Sequence, residues 1–432
     1  MAIRLTAGRL KIAVIGAGWA GLTAAVELAA QGHQLTVFET SPHLGGRARG
    51  FEHKSLRLDN GQHILLGAYH QTLRLMELVG LNEADILLRL PLTLETPGHI
   101  ELNTSHLPAP LHLLAGLIRA KGLGLSERLT TLAFFTKLRL RNFKLAQDQT
   151  VAELLNKQPD NVVRLLWEPL CIAALNTPIS TASAQVFLNV LRDSFSHSRA
   201  DSDMLLPRHD LSALFPQAAA RYVMEHDGKI LPSTAVKSLY IQHSGVEVDG
   251  EHFDKVICAV APHQLATLLQ DIPEAEPTLN MVNRFSYQPI ATVYLQYAST
   301  VTLPSHMLGL SDGDAQWVFD RGTLCGQHGL IAASISTVGE YLKLGHDEVA
   351  MAVHQQLQKL IGDLPAPEWH QVIVEKRATF ACVAGLQRPS NHTAHPHLFI
   401  AGDYTAGDYP ATLEGAVRSG INCALLLHGS LA

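Results

Sequence analysis

The sequence predicts an α/β protein: a Rossmann-like dinucleotide-binding domain joined to a discontinuous α+β substrate domain. Three observations predict it. A glycine turn, "GAGWAG" (Gly16–Gly21), lies between a short apolar run and a helix-like stretch. An acid, Glu39, closes the next apolar run. Near the other end, the apolar run Leu398–Ala401 breaks at Gly402-Asp403 and leads into a last helix-like stretch.

Lys11–Ile15 is a short apolar run bounded by glycine, as in a buried parallel strand. Gly16, Gly18 and Gly21 follow as GxGxxG. Gly16 permits the tight turn, Gly18 lets backbone approach a pyrophosphate, and Gly21 lets helix and strand pack closely. Trp19, Ala20 and Gly21 open a helix predicted to Gln31, whose N-terminus supplies donors and a favourable dipole for phosphates. His33–Phe38 reads as the second strand, and Glu39 after it can accept ribose hydroxyls.

This much implies a dinucleotide without choosing one. "SPHLGGRARG" (Ser41–Gly50) chooses. Gly45, Gly46 and Arg47 form a second glycine turn with a fixed positive charge, suited to a pyrophosphate approached from the other side. FAD is the expected cofactor. Its far end needs an anchor, and the C-terminal segment provides one. Asp403 can take ribityl or ribose hydroxyls, and the helix from about Ala411 can aim backbone N–H groups at the flavin edge past the small Thr412 and its neighbour Leu413.

Composition narrows the class. The 432 residues are 47% hydrophobic and only 17% charged, with net charge −6, which argues against disorder and against a nucleic-acid partner. The cysteines (Cys171, Cys258, Cys325, Cys382, Cys423) are odd in number and show no metal-ligand spacing, so free thiols are expected. A strand within about ten residues of Met1 leaves no room for a signal peptide, and no apolar run reaches the ~18 residues of a membrane span. The expected location is the cytoplasm.

Together, "GAGWAG" with Glu39, "GGRARG", "LDNGQH" (Leu58–His63) and "AGDYTAGDYPATLEGAVRSG" (Ala401–Gly420) resemble the FAD-dependent amine oxidase and polyene desaturase superfamily. That resemblance implies a glutathione-reductase-type FAD domain. Leu205–Ile241 is similar to the helix and strand that close over the adenine, with Val236 giving its backbone to the base, and Phe253–Pro262 to the strand that returns the chain to the sheet. Within the superfamily, "LLWEPLCIAALNTPISTASAQVF" (Leu165–Phe187) and "EKRATFACVAGLQRP" (Glu375–Pro389) resemble the hydroxysqualene dehydroxylases, also called squalene-associated FAD-dependent desaturases. The resemblance implies reductive removal of a hydroxyl from a C30 isoprenoid on the route to squalene and hopanoids. Phytoene-type desaturases share "AGDYT" and "LEGAVRSG". Amine oxidases fit less well, because they place an aromatic two residues before the Glu of the last helix, where this chain has Thr412. A non-catalytic prenyl-lipid carrier of the same fold would have degraded cofactor motifs, and these are complete. Met1–Arg9 is an extension with no assigned role.

The expected FAD domain comprises residues 1–85, 205–262 and 392–432, and the substrate domain 86–204 and 263–391. The latter contains predicted strands at Ile290–Tyr297 and Gly329–Ser336 and a helix at Asp347–Leu360. Leu107–Lys144 carries seven Lys/Arg and one acid, leaving 26 bases (33 − 7) and 38 acids (39 − 1) elsewhere. It reads either as a basic apolar surface for a membrane or as an ordinary helical hairpin. Trp167, Glu168 and Pro169 interrupt a helix-like run; Glu168, in an apolar stretch, suits a general acid or a helix cap. Asp59 and His63 serve either the flavin face or a structural turn. His395 and His397 read as a solvated loop rather than metal ligands. Tyr404 and Tyr409 line a cavity or simply pack.

Overall fold

The computed structural model describes residues 8–429, so Met1–Ala7 of the N-terminal extension lies outside the described residues. The nucleotide domain is organised by a five-stranded parallel sheet. Its strand order is Lys229–Leu231, Gln34–Phe38, Lys11–Ile15, Lys255–Cys258, Leu398–Ile400. All five strands come from the three stretches read from the sequence as the FAD domain. Ile12, Val14, Leu35, Val37, Ile257 and Phe399 are buried, because a parallel sheet is covered on both faces. Helix Trp19–Ala30 packs against the C-terminal helix Leu413–Gly429. Their crossing is close at Gly420, where a Cβ would lie 2.4 Å from the Ala20 carbonyl oxygen.

The glycine turn shows why each glycine is there. Gly16 has φ +107°, and a Cβ would lie 2.6 Å from the Ala259 carbonyl oxygen. A Cβ on Gly21 would lie 2.0 Å from the oxygen of Gly16, so helix and turn pack only with glycine. Gly18 differs: its backbone is extended, and the nearest atom to a Cβ is Gly46 Cα, 4.0 Å away. The space beside Gly18 is open.

The second sheet is antiparallel, in the order Met307–Gly309, Trp317–Asp320, Leu330–Ser336, Tyr287–Gln296, Trp369–Phe380. Helix His346–Ile361 covers one face. A helical layer comprises Leu111–Arg119, Leu125–Leu140, the run from Asp160 to Leu175, and Ala184–Phe195. The expected boundaries at 85/86 and 204/205 fall on a small sheet in which Met204–Pro207 pairs with both Leu65–Leu66 and Leu87–Leu90. The two crossings between domains are thus tied side by side.

One expectation is corrected. Pro169 does not interrupt its helix. The backbone stays helical from Asp160 to Leu175 and absorbs the proline through a π turn, Val163–Trp167, where the Glu168 amide reaches back to the Val163 carbonyl. Such turns are rare and concentrate at functional sites.

Candidate active site

At the adenine-ribose end, Glu39 leaves the second strand and its carboxylate accepts from the Ala17 and Ser41 amides, both at 2.8 Å. A carboxylate has lone pairs beyond these two, so it can still receive ribose hydroxyls. The loop after Leu231 is laced to it: Thr234 N–H donates to the Glu39 carbonyl at 2.8 Å and Ser233 N–H to that of Ser41 at 3.1 Å. This brings Val236 alongside. Val236 is half-buried, and its backbone makes no hydrogen bond among the described residues, leaving donor and acceptor for a base edge.

The two glycine turns meet. The Gly45 amide donates to the Ala17 carbonyl at 2.9 Å, and Gly18 and Gly45 form a parallel bridge. Gly46, at φ +62°, would place a Cβ 3.2 Å from Gly18 Cα. Side chains at 18 and 46 would fill the cradle that a pyrophosphate needs. Trp19 is not exposed to this cradle. It is 4% exposed, packs against Phe215 with ring centroids 5.0 Å apart, and its Nε1–H donates to the Ala48 carbonyl, pinning helix to turn. Ala20 is buried against the C-terminal helix.

At the far end, Arg47 Nη2 donates to both oxygens of Asp403 at 2.7 Å, and Nη1 to the Ala378 carbonyl at 2.5 Å. Burial works against the Arg47 charge, and the Asp403 pair more than offsets it. Gly402 has a packing role: a Cβ there would overlap the Tyr404 ring at 2.2 Å, and its amide donates to Ser419 Oγ. Tyr404 and Tyr409 are both buried, so they pack. Thr412 Oγ1 accepts from the Gly415 amide, capping the helix that Leu413 begins.

The two segments singled out in the sequence are neighbours here. Ala182 bridges Val383, the Ser183 amide donates to the Cys382 carbonyl, and the Cys382 amide donates to Thr177 Oγ1 at 3.0 Å. Asn176, left-handed at φ 45°, ends the helix and donates to Thr379 Oγ1 and the Pro289 carbonyl. Arg388 donates to the Tyr409, Asp403 and Gly407 carbonyls, which ties Glu375–Pro389 to the Asp403 loop.

The catalytic candidates separate. Asp59 is 2% exposed, and both its oxygens are engaged: one accepts from the Leu211 amide at 2.7 Å, the other from Arg321 at 2.9 Å. Burial raises its carboxyl, while Arg321 and the Leu211 amide act against the rise. Through these contacts Asp59 ties the Leu211 and Arg321 segments together. His63 lies in the adjoining loop with Nδ1 2.9 Å from the Gly61 carbonyl. Burial lowers its pKa, so the imidazole is neutral and Nδ1–H donates, leaving Nε2 as an acceptor. Glu168 belongs to the helical layer. It is half-buried and follows the π turn, and its carboxyl makes no hydrogen bond or ion pair among the described residues. It does not cap its helix. No hydrogen bond joins it to Asp59 or His63.

Several positioning residues were not read from the sequence. Glu414, fully buried, accepts from the Thr72 amide at 2.9 Å, from Thr72 Oγ1 at 2.7 Å and from Arg418 at 2.8 Å. It joins the start of the last helix to that of His70–Leu78. Its place in the first turn of a small-residue helix was the available signal. Arg321 and Tyr294, whose hydroxyl bonds the Asp59 backbone, had none.

If the cradle holds FAD as described, Glu39→Ala weakens binding by roughly tenfold to a hundredfold, for a charge-assisted hydrogen bond of about 1.5–3 kcal/mol. Flavin fluorescence on dilution reads this, and unchanged affinity would contradict the role given to Glu39.

Comparison with known proteins agrees with this geometry. Residues 19–427 match the family model described as flavin containing amine oxidoreductase. The hydroxysqualene dehydroxylase of Zymomonas mobilis is 27% identical over 436 residues, 95% of this chain and 97% of that protein. That of Rhodopseudomonas palustris is 27% identical over 434 residues, 96% of this chain and 97% of that protein. A zeta-carotene desaturase of Solanum lycopersicum is 22% identical, covering 95% of this chain and 80% of that protein. Among solved structures, an oxidoreductase from Methanosarcina mazei has TM-score 0.75 at 17% identity, over 96% of this chain and 99% of that one. Cyclohexylamine oxidase from Brevibacterium oxydans has TM-score 0.72 at 16% identity, over 98% and 100%. With a match spanning residues 19–427 and the FAD cradle intact, the chain belongs to the flavin-containing amine oxidoreductase family and is an FAD-dependent oxidoreductase.

Proposed function

We propose that this chain removes the hydroxyl of hydroxysqualene reductively to give squalene, the reaction for which its 26–27% identical relatives are named. The observation that carries the reading is the meeting of Leu165–Phe187 with Glu375–Pro389 beside the Asp403 loop. These are the segments whose sequence resembles the hydroxysqualene dehydroxylases. The substrate is an allylic alcohol, whose oxygen leaves readily once protonated because the cation is delocalised. Bound FAD, when reduced, supplies hydride. Glu168 supplies the proton to the leaving oxygen, since its carboxyl has no competing partner. The apolar helical layer around it keeps water from recapturing the cation. Thr412 stands where an aromatic amine cage would need a ring. Incubation of the purified protein with hydroxysqualene and a reductant is expected to give squalene by mass analysis; unaltered substrate with fully reduced enzyme would refute it.

The zeta-carotene desaturases, at 21–23% identity, favour a second reading: desaturation of a related polyene. The substrate class is the same and the direction of electron flow is opposite.

A substrate of this kind resides in membranes, and we place the docking surface at residues 107–144. No helix among the described residues is long and apolar enough to cross a membrane. Helices Leu111–Arg119 and Leu125–Leu140 instead expose Leu111, Ile118, Leu125, Leu129 and Leu140, at 50–82% of full exposure. Leu125, Leu129 and Leu140 share one face by helical spacing. Lys137, Arg141 and Lys144 have no acidic partner among the described residues. Each base near an anionic surface contributes about 1 kcal/mol, weakened by salt. Changing all three to Ser is expected to lower co-sedimentation with anionic liposomes about tenfold or more, with FAD content unchanged. Equal sedimentation would reduce the pair to an ordinary helical hairpin.

A further inference from the structure

The strand Tyr287–Gln296 is interior to the antiparallel sheet, yet it carries Pro289, which has no amide to give a neighbouring strand. The partner strand answers with a bulge. Gln288 pairs with Thr379 and Ile290 with Glu375, so Lys376, Arg377 and Ala378 stand out opposite Pro289. Bulges collect beside active sites, where they re-aim a group. Here the re-aimed group is the Ala378 carbonyl, which accepts from Arg47 Nη1 at 2.5 Å while Nη2 holds both oxygens of Asp403. The other side of the bulge is held by Asn176. Its Nδ2 donates to Thr379 Oγ1 at 3.0 Å and to the Pro289 carbonyl at 3.3 Å, and its Oδ1 accepts from the Thr337 amide at 2.9 Å. Asn176 and Thr379 are both buried. The peptide joining Ala378 to Thr379 thus meets Arg47 through its carbonyl, and the Thr379 side chain beside it meets Asn176. Asn176 also closes the helix that carries Glu168. Its amide donates to the Ile172 carbonyl at 2.8 Å, in the left-handed conformation that ends Glu168–Leu175. At about 1.5 Å rise per residue, Glu168 stands roughly 12 Å away along the axis. Apolar packing around a helix is non-directional, so polar tethers such as this one set how far the helix slides and turns.

We propose that Asn176 is a positioning residue. It holds the helix of Glu168 in register with the Arg47–Asp403 pair at the far end of the FAD cradle, with Thr379 as the joint between them. The acid role of Glu168 rests on the function proposed above; the link from Asn176 to the Arg47–Asp403 pair rests on the bulge and its hydrogen bonds.

The test uses the full chain. Asn176→Gly keeps the left-handed turn, which glycine adopts freely, and removes the side-chain bonds. Thr379→Val breaks the same contact from the other side, and Thr379→Ser keeps it. FAD affinity is read first, by flavin fluorescence without substrate. Asn176→Gly and Thr379→Val are expected to weaken it roughly threefold to tenfold, as for the loss of a single hydrogen bond, and Thr379→Ser to match wild type. Turnover of FAD-saturated enzyme with hydroxysqualene and a reductant is read second, well below the melting temperature. Asn176→Gly is expected to lower kcat about tenfold or more with KM little changed, because a small misplacement of a reacting group is costly. In a Glu168→Gln background the same change is expected to cost no more than about twofold, since residues acting through one another are not additive. Should Asn176→Gly fold poorly, Thr379→Val carries the same comparison. Unchanged FAD affinity in both Asn176→Gly and Thr379→Val overturns the link to the Arg47–Asp403 pair. Equal losses of kcat in the wild-type and Glu168→Gln backgrounds overturn the positioning of Glu168. If wild type forms no squalene, or Glu168→Gln is fully active, the proposed reaction or its acid fails, and the FAD affinities still decide the link.

Discussion

Gly18→Val is expected to give folded, colourless protein. A Cβ at Gly18 meets no protein atom closer than 4.0 Å, and the residue's φ of −74° is open to any side chain. Folding should therefore tolerate the change. The branched side chain would, however, stand in the gap facing Gly46, through which the pyrophosphate must pass. Loss of FAD with an unchanged melting transition of the apoprotein is the expected pair of results, read by the visible spectrum and by calorimetry. Gly21→Ala makes the contrast. Its Cβ would lie 2.0 Å from the Gly16 carbonyl oxygen, so the defect should appear as lost stability before any question of binding. Full flavin occupancy in Gly18→Val would show that the open space beside it is not the cofactor's path.

Glu168→Gln is expected to lower turnover by ~10²–10⁴, the range for removing a general acid, with FAD content unchanged. The structure narrows the choice of acid. Both Asp59 oxygens are committed to Arg321 and Leu211, and His63 is a neutral imidazole whose free nitrogen accepts. Glu168 keeps its carboxyl unengaged in a half-buried apolar position. Glutamine preserves size and polarity and removes only the transferable proton. A fully active variant would leave the reaction class standing and pass the acid's role to another group.

What the sequence revealed followed how local the physics is. Gly16 and Gly21 answer constraints set within a few residues or by the adjoining strand, so they were legible with their separate reasons, while Gly18 was read by its place between them. Strand Lys11–Ile15 and helix Trp19–Ala30 were legible for the same reason. Glu39 was legible by its place at the strand end. The pairing of Arg47 with Asp403 was not, because 356 residues separate them and the fold alone brings them together. Asp59 illustrates the same limit: its partner Arg321 is 262 residues away, so the ion pair could not be read from the local turn. Pro169 misled for a different reason. Proline ordinarily stops a helix, and nothing in the neighbouring residues announces that a π turn will absorb it. Segments Leu165–Phe187 and Glu375–Pro389 were visible as separate resemblances, but their contact through Asn176, Thr177 and Cys382 needed the assembled fold.

The central claim is that electrons flow from the enzyme to the isoprenoid, and one paired measurement tests it most directly. Purified protein is incubated anaerobically with hydroxysqualene, once with the flavin fully reduced and once with it oxidised in the presence of an electron acceptor, and the products are separated and weighed by mass spectrometry. Squalene formed only in the reduced sample is the predicted result. Conversion in the oxidised sample to products with additional double bonds, and none in the reduced one, would contradict it and establish the chain as a desaturase.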